Sequence, residues 1–440
     1  MDSSNHHPPE LLARRVRLRW AGYLLLVVAF LLAFFHRNTP AAMADALAID
    51  WSAGPGVLGA ISASYFWVYT LMQVPAGVLA DLYGPRRLVA FGMAVAAAGT
   101  LLTALASGPI SGALGRVLIG FGVAFPFIGL LKFSAVWFPE RQFATLSGLT
   151  IFVGNLGAAL AATPLVLLMG LMRWQELFLL LAGSTFLLAL AIWRSVYDRP
   201  EHVGLPPVHA PLPSELAAGK DWRAGLRRVV ANRATWPGFF INFGAAGGIF
   251  GFAGLWGMPF LQDVYGFTRA EAAHQTGLMM VACAVGGLVI GRLSDRLGRR
   301  RPVLLIWTAV HTLLWLPWML AWPLSVGGST LLALLLGFSS TSFALTWACA
   351  KEVNPPALSG MATGVVNTGA FLGGATIQQA IGLAVEFEMT AGSSLGQALA
   401  HAVWAIPVCC AVGVLAALLQ TETYARNISC ERVSAGTRPA

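Results

Sequence analysis

Twelve apolar segments, each about as long as a membrane-spanning helix, follow one another along the 440-residue chain. A helix needs about 20 mainly apolar residues to cross a bilayer. In lipid the backbone must satisfy its own hydrogen bonds, so separate segments of this kind fold as helices. The sequence therefore predicts an all-α polytopic membrane protein with twelve transmembrane helices. The predicted spans are residues 20–47, 56–79, 86–107, 112–136, 143–170, 175–194, 236–262, 272–292, 302–321, 324–350, 357–384 and 396–419.

The composition fits a chain whose solvent is mainly lipid. Charged residues make up only 11%, whereas soluble domains carry about 25%. The net charge of +9 does not indicate a nucleic acid partner, because the basic residues lie between apolar segments and no nucleic-acid-binding motif accompanies them. The sequence shows no nucleophile–base arrangement, metal-ligand cluster or phosphate-binding loop, so we expect neither an enzyme nor a bound metal or cofactor.

A charged motif, G-x-x-x-D-x-x-G-x-R-R, follows both the second and the eighth predicted span. Its first glycines, Gly77 and Gly291, are 214 positions apart (291 minus 77). Matching segments in the fifth and eleventh spans place Asn155 and Asn367 212 positions apart. Two repeats at nearly one offset predict two pseudo-symmetric six-helix bundles, as in many transporters. The predicted domains are an N-terminal bundle 1–194, a cytoplasmic linker 195–235 and a C-terminal bundle 236–440.

The distribution of Lys and Arg predicts the orientation in the membrane. These residues concentrate at both termini, in the motif loops and in the linker, while the loops on the other side carry only Arg173 and Arg269. By the positive-inside rule, both termini and both motifs lie in the cytoplasm. An amphipathic helix at residues 222–233 of the linker is predicted to lie on the membrane surface. The excess of Arg over Lys favours a bacterial inner (plasma) membrane, and we expect a monomer.

With this arrangement the chain resembles the major facilitator superfamily over nearly its whole length, about residues 15–425. The doubled loop motif is similar to the family's loop signature, and Arg116, Gly120 and Gly122 resemble its helix 4 signature. The resemblance implies a secondary transporter with a cytoplasmic latch between its halves. The implied latch residues are Gly77, Asp81, Gly84, Arg86, Arg87, Gly291, Asp295, Gly298, Arg299 and Arg300, with Glu140 and Glu352 as candidate counter-charges.

The chemistry of the motif residues suggests separate roles. Gly77 and Gly291 would allow close helix packing, and Gly84 and Gly298 would permit the tight turn between two helices. The motif aspartates lie at a membrane boundary, where a carboxylate needs a helix N-terminus or an arginine as partner. The alternative is that the arginines only hold these loops in the cytoplasm.

Ionisable residues inside membrane spans are costly and therefore indicate function. Arg37 and Lys132 lie in the first and fourth spans, and no acidic residue lies at comparable depth in the first six. Unpaired positive charge facing a central cavity favours a small organic anion; the alternative is that both residues pair with helix ends and only pack. A phosphate ester is disfavoured, since the seventh span lacks the second arginine of the family's organophosphate carriers. The candidate substrate-binding residues are His36, Arg37, Asn38, Lys132, Asn155, Asn367 and Gln378.

The predicted function is secondary active transport of a small organic, anionic solute by alternating access in a lipid bilayer. Histidine titrates near neutral pH, so His36 either couples transport to protons, as in a symporter, or only packs. Arg116 is interpreted as structural at least as much as proton-transferring. Two alternatives remain: an efflux antiporter for drugs or metabolites, and a ligand sensor with a transporter fold but no flux.

Overall fold

The computed structural model describes residues 9–206, 208, 222–355 and 358–429. For a few helical residues in these ranges, among them Asp81 and Glu140, only the backbone is described. Every regular element of the described chain is a helix. The predicted all-α class is therefore confirmed.

The helical segments of the first half correspond to the six spans predicted there. They are Pro9–Asp50 (α1), Pro55–Ala104 (α2), Pro109–Gly122 (α3), Phe125–Trp137 (α4), Glu140–Leu160 (α5), Thr163–Met169 (α6) and Trp174–Ser195 (α7). Two spans make up α2, joined by a kink at Gly84, whose φ of 77° lies in the left-handed region. The fourth and fifth spans are each interrupted once. A proline stands in the first turn of the segment that follows, where its missing N–H group breaks no hydrogen bond.

The second half repeats this plan after the linker helix Trp222–Ala231 (α8). Its segments are Trp236–Gly251 (α9), Gly257–Asp263 (α10), Arg269–Leu297 (α11), Arg301–Leu314 (α12), Leu316–Met319 (α13), Val326–Ser339 (α14), Ser342–Val353 (α15), Ser359–Thr390 (α16), Leu395–Ala402 (α17) and Ala405–Leu418 (α18). A π-helical stretch, Phe252–Trp256, joins α9 to α10. Eleven stretches of the described chain have the length and hydropathy of membrane spans. The remaining predicted span, 357–384, corresponds to α16, which has 32 residues and is also long enough to cross a bilayer.

Each half of the chain packs mainly on itself. In the first half, α2 contacts α3 and α7, and α1 contacts α5. In the second half, α9 contacts α16 and α18, and α11 contacts α14. Between the halves, α16 lies along α2 and α11 lies along α5. The segment α1 also contacts the stretch Phe252–Trp256. The expected two bundles therefore meet mainly through the pairs α2–α16 and α5–α11.

The linker helix α8 is docked onto the second half. Val229 is fully buried in a cluster with Ala362 and Val366 of α16, and Gly225 lies beside Leu358. The predicted amphipathic helix is therefore present. Part of its apolar face is covered by protein and not by lipid, because α16 begins beside it.

The two motif turns, at Gly84 and Gly298, lie on one face of the bundles, the motif face. The opposite face carries the turns between α1 and α2 and between α16 and α17. Toward the opposite face the halves are in close contact. A Cβ added at Gly59 of α2 would lie 2.8 Å from the main-chain oxygen of Gln378 in α16.

Toward the motif face the halves are less closely packed. A Cβ added at Gly77 of α2, or at Gly360 or Gly364 in the facing part of α16, would meet no described atom within 4 Å. The same holds for Gly291 in α11. The prediction that Gly77 and Gly291 provide close packing is wrong for this conformation, because the tight contacts between the halves lie toward the opposite face.

Candidate functional site

Aromatic rings surround the guanidinium group of Arg37 where the two halves meet. Its Cζ lies 4.1 Å from the ring centre of Phe34 and 5.3 Å from that of Tyr69, both in the first half. It lies 4.9 Å from the ring centres of Phe250 and of Phe371, in the second half. These distances are within the range of cation–π interactions. Arg37 and these four rings form the arginine cage.

Arg37 is buried, with 1% of its surface exposed. Its Nε and Nη1 have no hydrogen-bond partner, and none of the ion pairs among the described side chains includes it. A buried cation without a counter-charge costs several kcal/mol. The cation–π contacts offset this cost, but they do not neutralise the charge. The cage therefore holds a positive charge that is available to an anion.

Helix α1 interrupts its own hydrogen bonds next to Arg37. Pro40 has no N–H group, so the carbonyl oxygen of His36, four residues earlier, loses its helical partner. Two side chains replace it. The Thr39 hydroxyl donates to this oxygen over 3.0 Å, and Nη1 of Arg116 donates over 2.7 Å. The proline thus explains why an arginine of α3 is attached to α1 at this level.

Arg116 has a structural position beside the cage. Its side chain is buried, and Cζ lies 4.8 Å from the ring centre of Tyr65. The glycines of the same signature let α3 approach α2. A Cβ at Gly120 would lie 2.6 Å from the main-chain oxygen of Tyr65, and one at Gly122 would collide with the main-chain oxygen of Gly92. The helix 4 signature therefore packs the first half together. Nε and Nη2 of Arg116 are buried without a hydrogen-bond partner, so its positive charge lies beside the cage.

Lys132 lies toward the motif-face end of α4, away from the cage. Its Nζ donates a hydrogen bond of 2.7 Å to the main-chain oxygen of Ala80. Ala80 follows Tyr69 by eleven residues on α2, which is about 16 Å along a helix. Arg37 and Lys132 therefore contact α2 at different heights, and a shared role of the two in substrate binding stays a prediction.

Three of the predicted site residues are held within their own helices or have no partner. Asn38 and Asn155 each donate to a main-chain oxygen one turn earlier, that of Phe34 and that of Ile151. The ring of His36 is fully buried, and neither ring nitrogen has a hydrogen-bond partner. The amides of the two asparagines are thus partly used by the backbone.

Two predicted amides border the cage. Nε2 of Gln378 donates over 3.0 Å to the main-chain oxygen of Phe250, while its Oε1 is buried without a partner. Nδ2 of Asn367 donates over 3.2 Å to Oε1 of Gln73, which joins the two halves. Gln73 was not predicted. Its position four residues after a cage tyrosine, on the same face of α2, is the signal that would have indicated it.

The second copy of the motif forms a network of charges around Arg300. Its Nη1 lies 2.7 Å from Oδ1 of Asp295 and 2.9 Å from the Ser294 hydroxyl, and its Nη2 lies 2.8 Å from Oε1 of Glu352. Burial acts to lower the pKa of Arg300, but the hydrogen bonds to Glu352 and Asp295 outweigh it and raise the pKa above its usual value. These contacts lie within the second half, and they do not join it to the first.

In the first copy the equivalent arginine, Arg86, binds a different acid. Its main-chain N–H donates over 2.8 Å to Oδ1 of Asp198, and its Nε donates over 2.7 Å to the main-chain oxygen of Trp193. A Cβ at Gly84 would lie 2.5 Å from the same carboxylate oxygen, so glycine is required there for space as well as for its positive φ. Asp198 thus binds the N-terminus of the third span, where a negative charge is favourable.

Two further arginines of the predicted latch form no ion pair with a described side chain. Arg87 and Arg299 are exposed. The side chains of Asp81 and Glu140 lie outside the described part of the structure. Their roles in a latch stay predictions.

Glu422 takes the place of Asp198 in the second half. Its Oε1 accepts the N–H of Arg300 over 2.9 Å, and its Oε2 accepts the N–H of Arg301 over 3.2 Å. Neither acid was predicted from the sequence. They are 224 positions apart (422 minus 198), so an offset of 212 or 214 does not pair them.

We expect Glu422→Gln to lower the Tm by a few degrees at pH 7, as for the loss of a helix cap worth about 1 kcal/mol. Partial burial acts to raise the pKa of the Glu422 carboxyl, but four main-chain N–H groups, including those of Arg300 and Arg301, outweigh it and lower the pKa. A lowered folded-state pKa adds stability above the unfolded pKa of about 4.3 and loses it as the pH falls through the folded value. The Tm difference should therefore shrink in acid.

Thermal unfolding of the purified protein between neutral pH and acid measures this effect. Glu201→Gln is the matched control, because Glu201 is an exposed carboxylate on the same face. A difference between Glu422→Gln and the parent protein that stays constant throughout the acid range would contradict the role assigned to the charge.

Comparison with known proteins agrees with this architecture. The model of the Major Facilitator Superfamily matches residues 25–377. The chain is 24% identical over 406 residues to a D-galactonate transporter of Escherichia coli O6:H1, across 84% of this chain and 90% of that protein. It is 26% identical over 289 residues to a hexuronate transporter of Escherichia coli strain K12, across 63% of this chain and 65% of that protein. The similarity therefore spans slightly less than two thirds of the second relative.

A solved structure of a D-xylose-proton symporter has a TM-score of 0.70 against this chain at 15% identity, and covers 91% of this chain and 97% of that one. At this identity the likeness concerns the fold alone. The family match is stronger, since it extends over most of the chain and includes both copies of the loop motif. The chain belongs to the Major Facilitator Superfamily.

Proposed function

We propose that the protein is a secondary transporter that carries a small organic acid across a membrane and binds its carboxylate with Arg37. The main support is the buried guanidinium of Arg37, which lies between the halves and has no carboxylate partner among the described side chains. A carboxylate offers the charge and the two acceptor oxygens that a guanidinium binds best. The names of two similar proteins, transporters of D-galactonate and hexuronate, describe organic acids and agree with this proposal.

The arginine cage links substrate binding to movement of the halves. Phe250 and Phe371 belong to the second half, and the rest of the cage belongs to the first. A substrate bound at Arg37 therefore contacts both halves, and its different contacts in the two arrangements shift the equilibrium between them. Alternating access depends on a central site of this kind.

The conformation described above is the one open toward the cytoplasm in this proposal. The positive-inside rule places the motif face there. The approach of Gly59 to Gln378 closes the opposite face, while Gly77 and Gly364 have free space around them. A latch that includes Asp81 would be released in this conformation and would form in the other.

Flux and binding assays on the same purified protein test the proposal. A thermal-shift series compares carboxylates with their neutral amides, and the best carboxylate is then used for counterflow in proteoliposomes. We expect saturable counterflow of the carboxylate and no effect of the amide. Binding without counterflow would indicate the sensor alternative, and equal stabilisation by the amide would exclude an anion site. Counterflow under an imposed pH gradient, with and without His36→Gln, decides whether His36 couples transport to protons.

A further inference from the structure

We infer that the transported acid has a flat, apolar body, so that the site takes an aromatic monocarboxylate in preference to a polyhydroxylated sugar acid. This rests on the proposed function, because it assumes that Arg37 binds a carboxylate. The inference concerns the rest of the substrate, which the side chains around Arg37 must accommodate.

Three rings of the cage and the neighbouring ring of Phe66 form a series, with interplanar angles of 29–31° at each step, that crosses between the halves. The ring centres of Tyr69 and Phe371 are 4.1 Å apart at an interplanar angle of 31°. Those of Phe371 and Phe250 are 5.7 Å apart at 30°, and those of Phe250 and Phe66 are 5.9 Å apart at 29°. Aromatic groups favour offset, stacked contacts of this kind. When the halves move apart, an aromatic substrate can insert between two of these rings. It then makes the same offset, stacked contacts that the rings make with each other.

The polar groups near the cage offer little to a substrate rich in hydroxyl groups. A sugar acid has a hydroxyl on most of its carbon atoms, and each needs a hydrogen-bond partner when buried. Asn38 and Asn155 donate to their own helices, and Asn367 donates to Gln73. Gln378 alone among these amides has a buried oxygen without a partner. With the two ring nitrogens of His36, which are also buried without a partner, these few atoms do not satisfy a hydroxyl group on most carbon atoms of a sugar acid.

The cage carries one positive charge. The other two cations deep within the first six spans, Arg116 and Lys132, lie outside the cage and donate to the main-chain oxygens of His36 and Ala80. A single guanidinium matches a single carboxylate in charge and in its bidentate geometry. A monocarboxylate therefore fits better than a dicarboxylate or a phosphate dianion.

Calorimetric binding to the purified full-length protein in detergent tests the inference with four probes: phenylacetate, D-galactonate, phthalate and phenylacetamide. We expect phenylacetate to bind at least tenfold more tightly than D-galactonate and phthalate, and phenylacetamide to show no saturable binding. If D-galactonate binds as tightly as phenylacetate, the inference is overturned while the proposed function stands. If phenylacetamide binds as tightly as phenylacetate, or no carboxylate binds, the proposed function fails as well.

A variant of the central ring separates ring stacking from general damage. Phe371→Ala should weaken phenylacetate binding at least tenfold and change D-galactonate binding less than twofold. Phe186→Ala is the matched control, because Phe186 is an exposed phenylalanine of α7 outside the cage. If Phe371→Ala does not yield folded protein, Phe250→Leu removes a ring at nearly constant volume and carries the same expectation. Equal losses for the two acids would contradict a role of the rings in selectivity.

Discussion

Arg37→Ala is expected to abolish carboxylate counterflow in proteoliposomes, with binding weakened at least 30-fold. Hydrogen bonds to charged groups contribute about 1.5–3 kcal/mol each, and a 30-fold change corresponds to about 2 kcal/mol. The site is buried and closed by aromatic rings, so solvent does not screen the loss. Arg37→Lys should recover only part of the binding, since an ammonium group lacks the planar fork of a guanidinium.

Stability distinguishes this role of Arg37 from a structural one. Arg37→Met keeps most of the side-chain volume and removes a buried charge that has no carboxylate partner among the described side chains, so its Tm should equal or exceed that of the parent protein. A structural arginine would instead lower the Tm when replaced. Arg17→Ala, at an exposed position of the same helix, should change neither property. Unchanged counterflow in Arg37→Ala would remove the central-anion hypothesis.

Sequence patterns predicted the helices and the two halves because these depend on local hydrophobicity and on a repeat. Each span needs only enough apolar residues to cross the bilayer. The turns at Gly84 and Gly298 were also predicted from the repeated motif, and both glycines have the positive φ that favours this residue. These features require no knowledge of which helices are neighbours.

The height and direction of charged side chains could not be predicted in the same way. Arg37 and Lys132 were both recognised as cations within spans, but their partners come from helices far away in the chain. Lys132 reaches Ala80, and the cage of Arg37 is completed by Phe250 and Phe371. Such pairings depend on how the bundles pack.

Some information was present in the sequence and was not used. Pro40 leaves the carbonyl of His36 without its helical donor, which predicts a replacement donor nearby. That the donor is Arg116 follows only from the packing of α3 against α1. Likewise, Asp198 and Glu422 both follow the last helix of a half, a relation that a search for one fixed offset does not detect.

Gly59→Val is expected to reduce carboxylate counterflow at least tenfold by preventing closure of the opposite face. In the present conformation a Cβ at Gly59 would lie 2.8 Å from the main-chain oxygen of Gln378 and 3.3 Å from Cα of Gly382. Both contacts are with main-chain atoms. A flexible side chain could rotate away from the added methyl groups, but the main chain of a helix cannot. The variant should therefore favour the conformation in which the halves are separated there, and that conformation alone cannot complete a transport cycle.

Binding should be largely retained in Gly59→Val, because a Cβ at Gly59 meets the main chain of Gln378 and Gly382 and the ring of Trp256, and none of the five cage residues. Labelling of Ser62→Cys measures the shift directly, since Ser62 is buried and lies three residues after Gly59 on the same helix. A membrane-impermeant maleimide applied to the opposite face should react at least fivefold faster in the Gly59→Val background. Gly183→Val is the control, because a Cβ at Gly183 meets no described atom within 4 Å. Unchanged labelling together with unchanged counterflow would show that this contact between the halves does not open during transport.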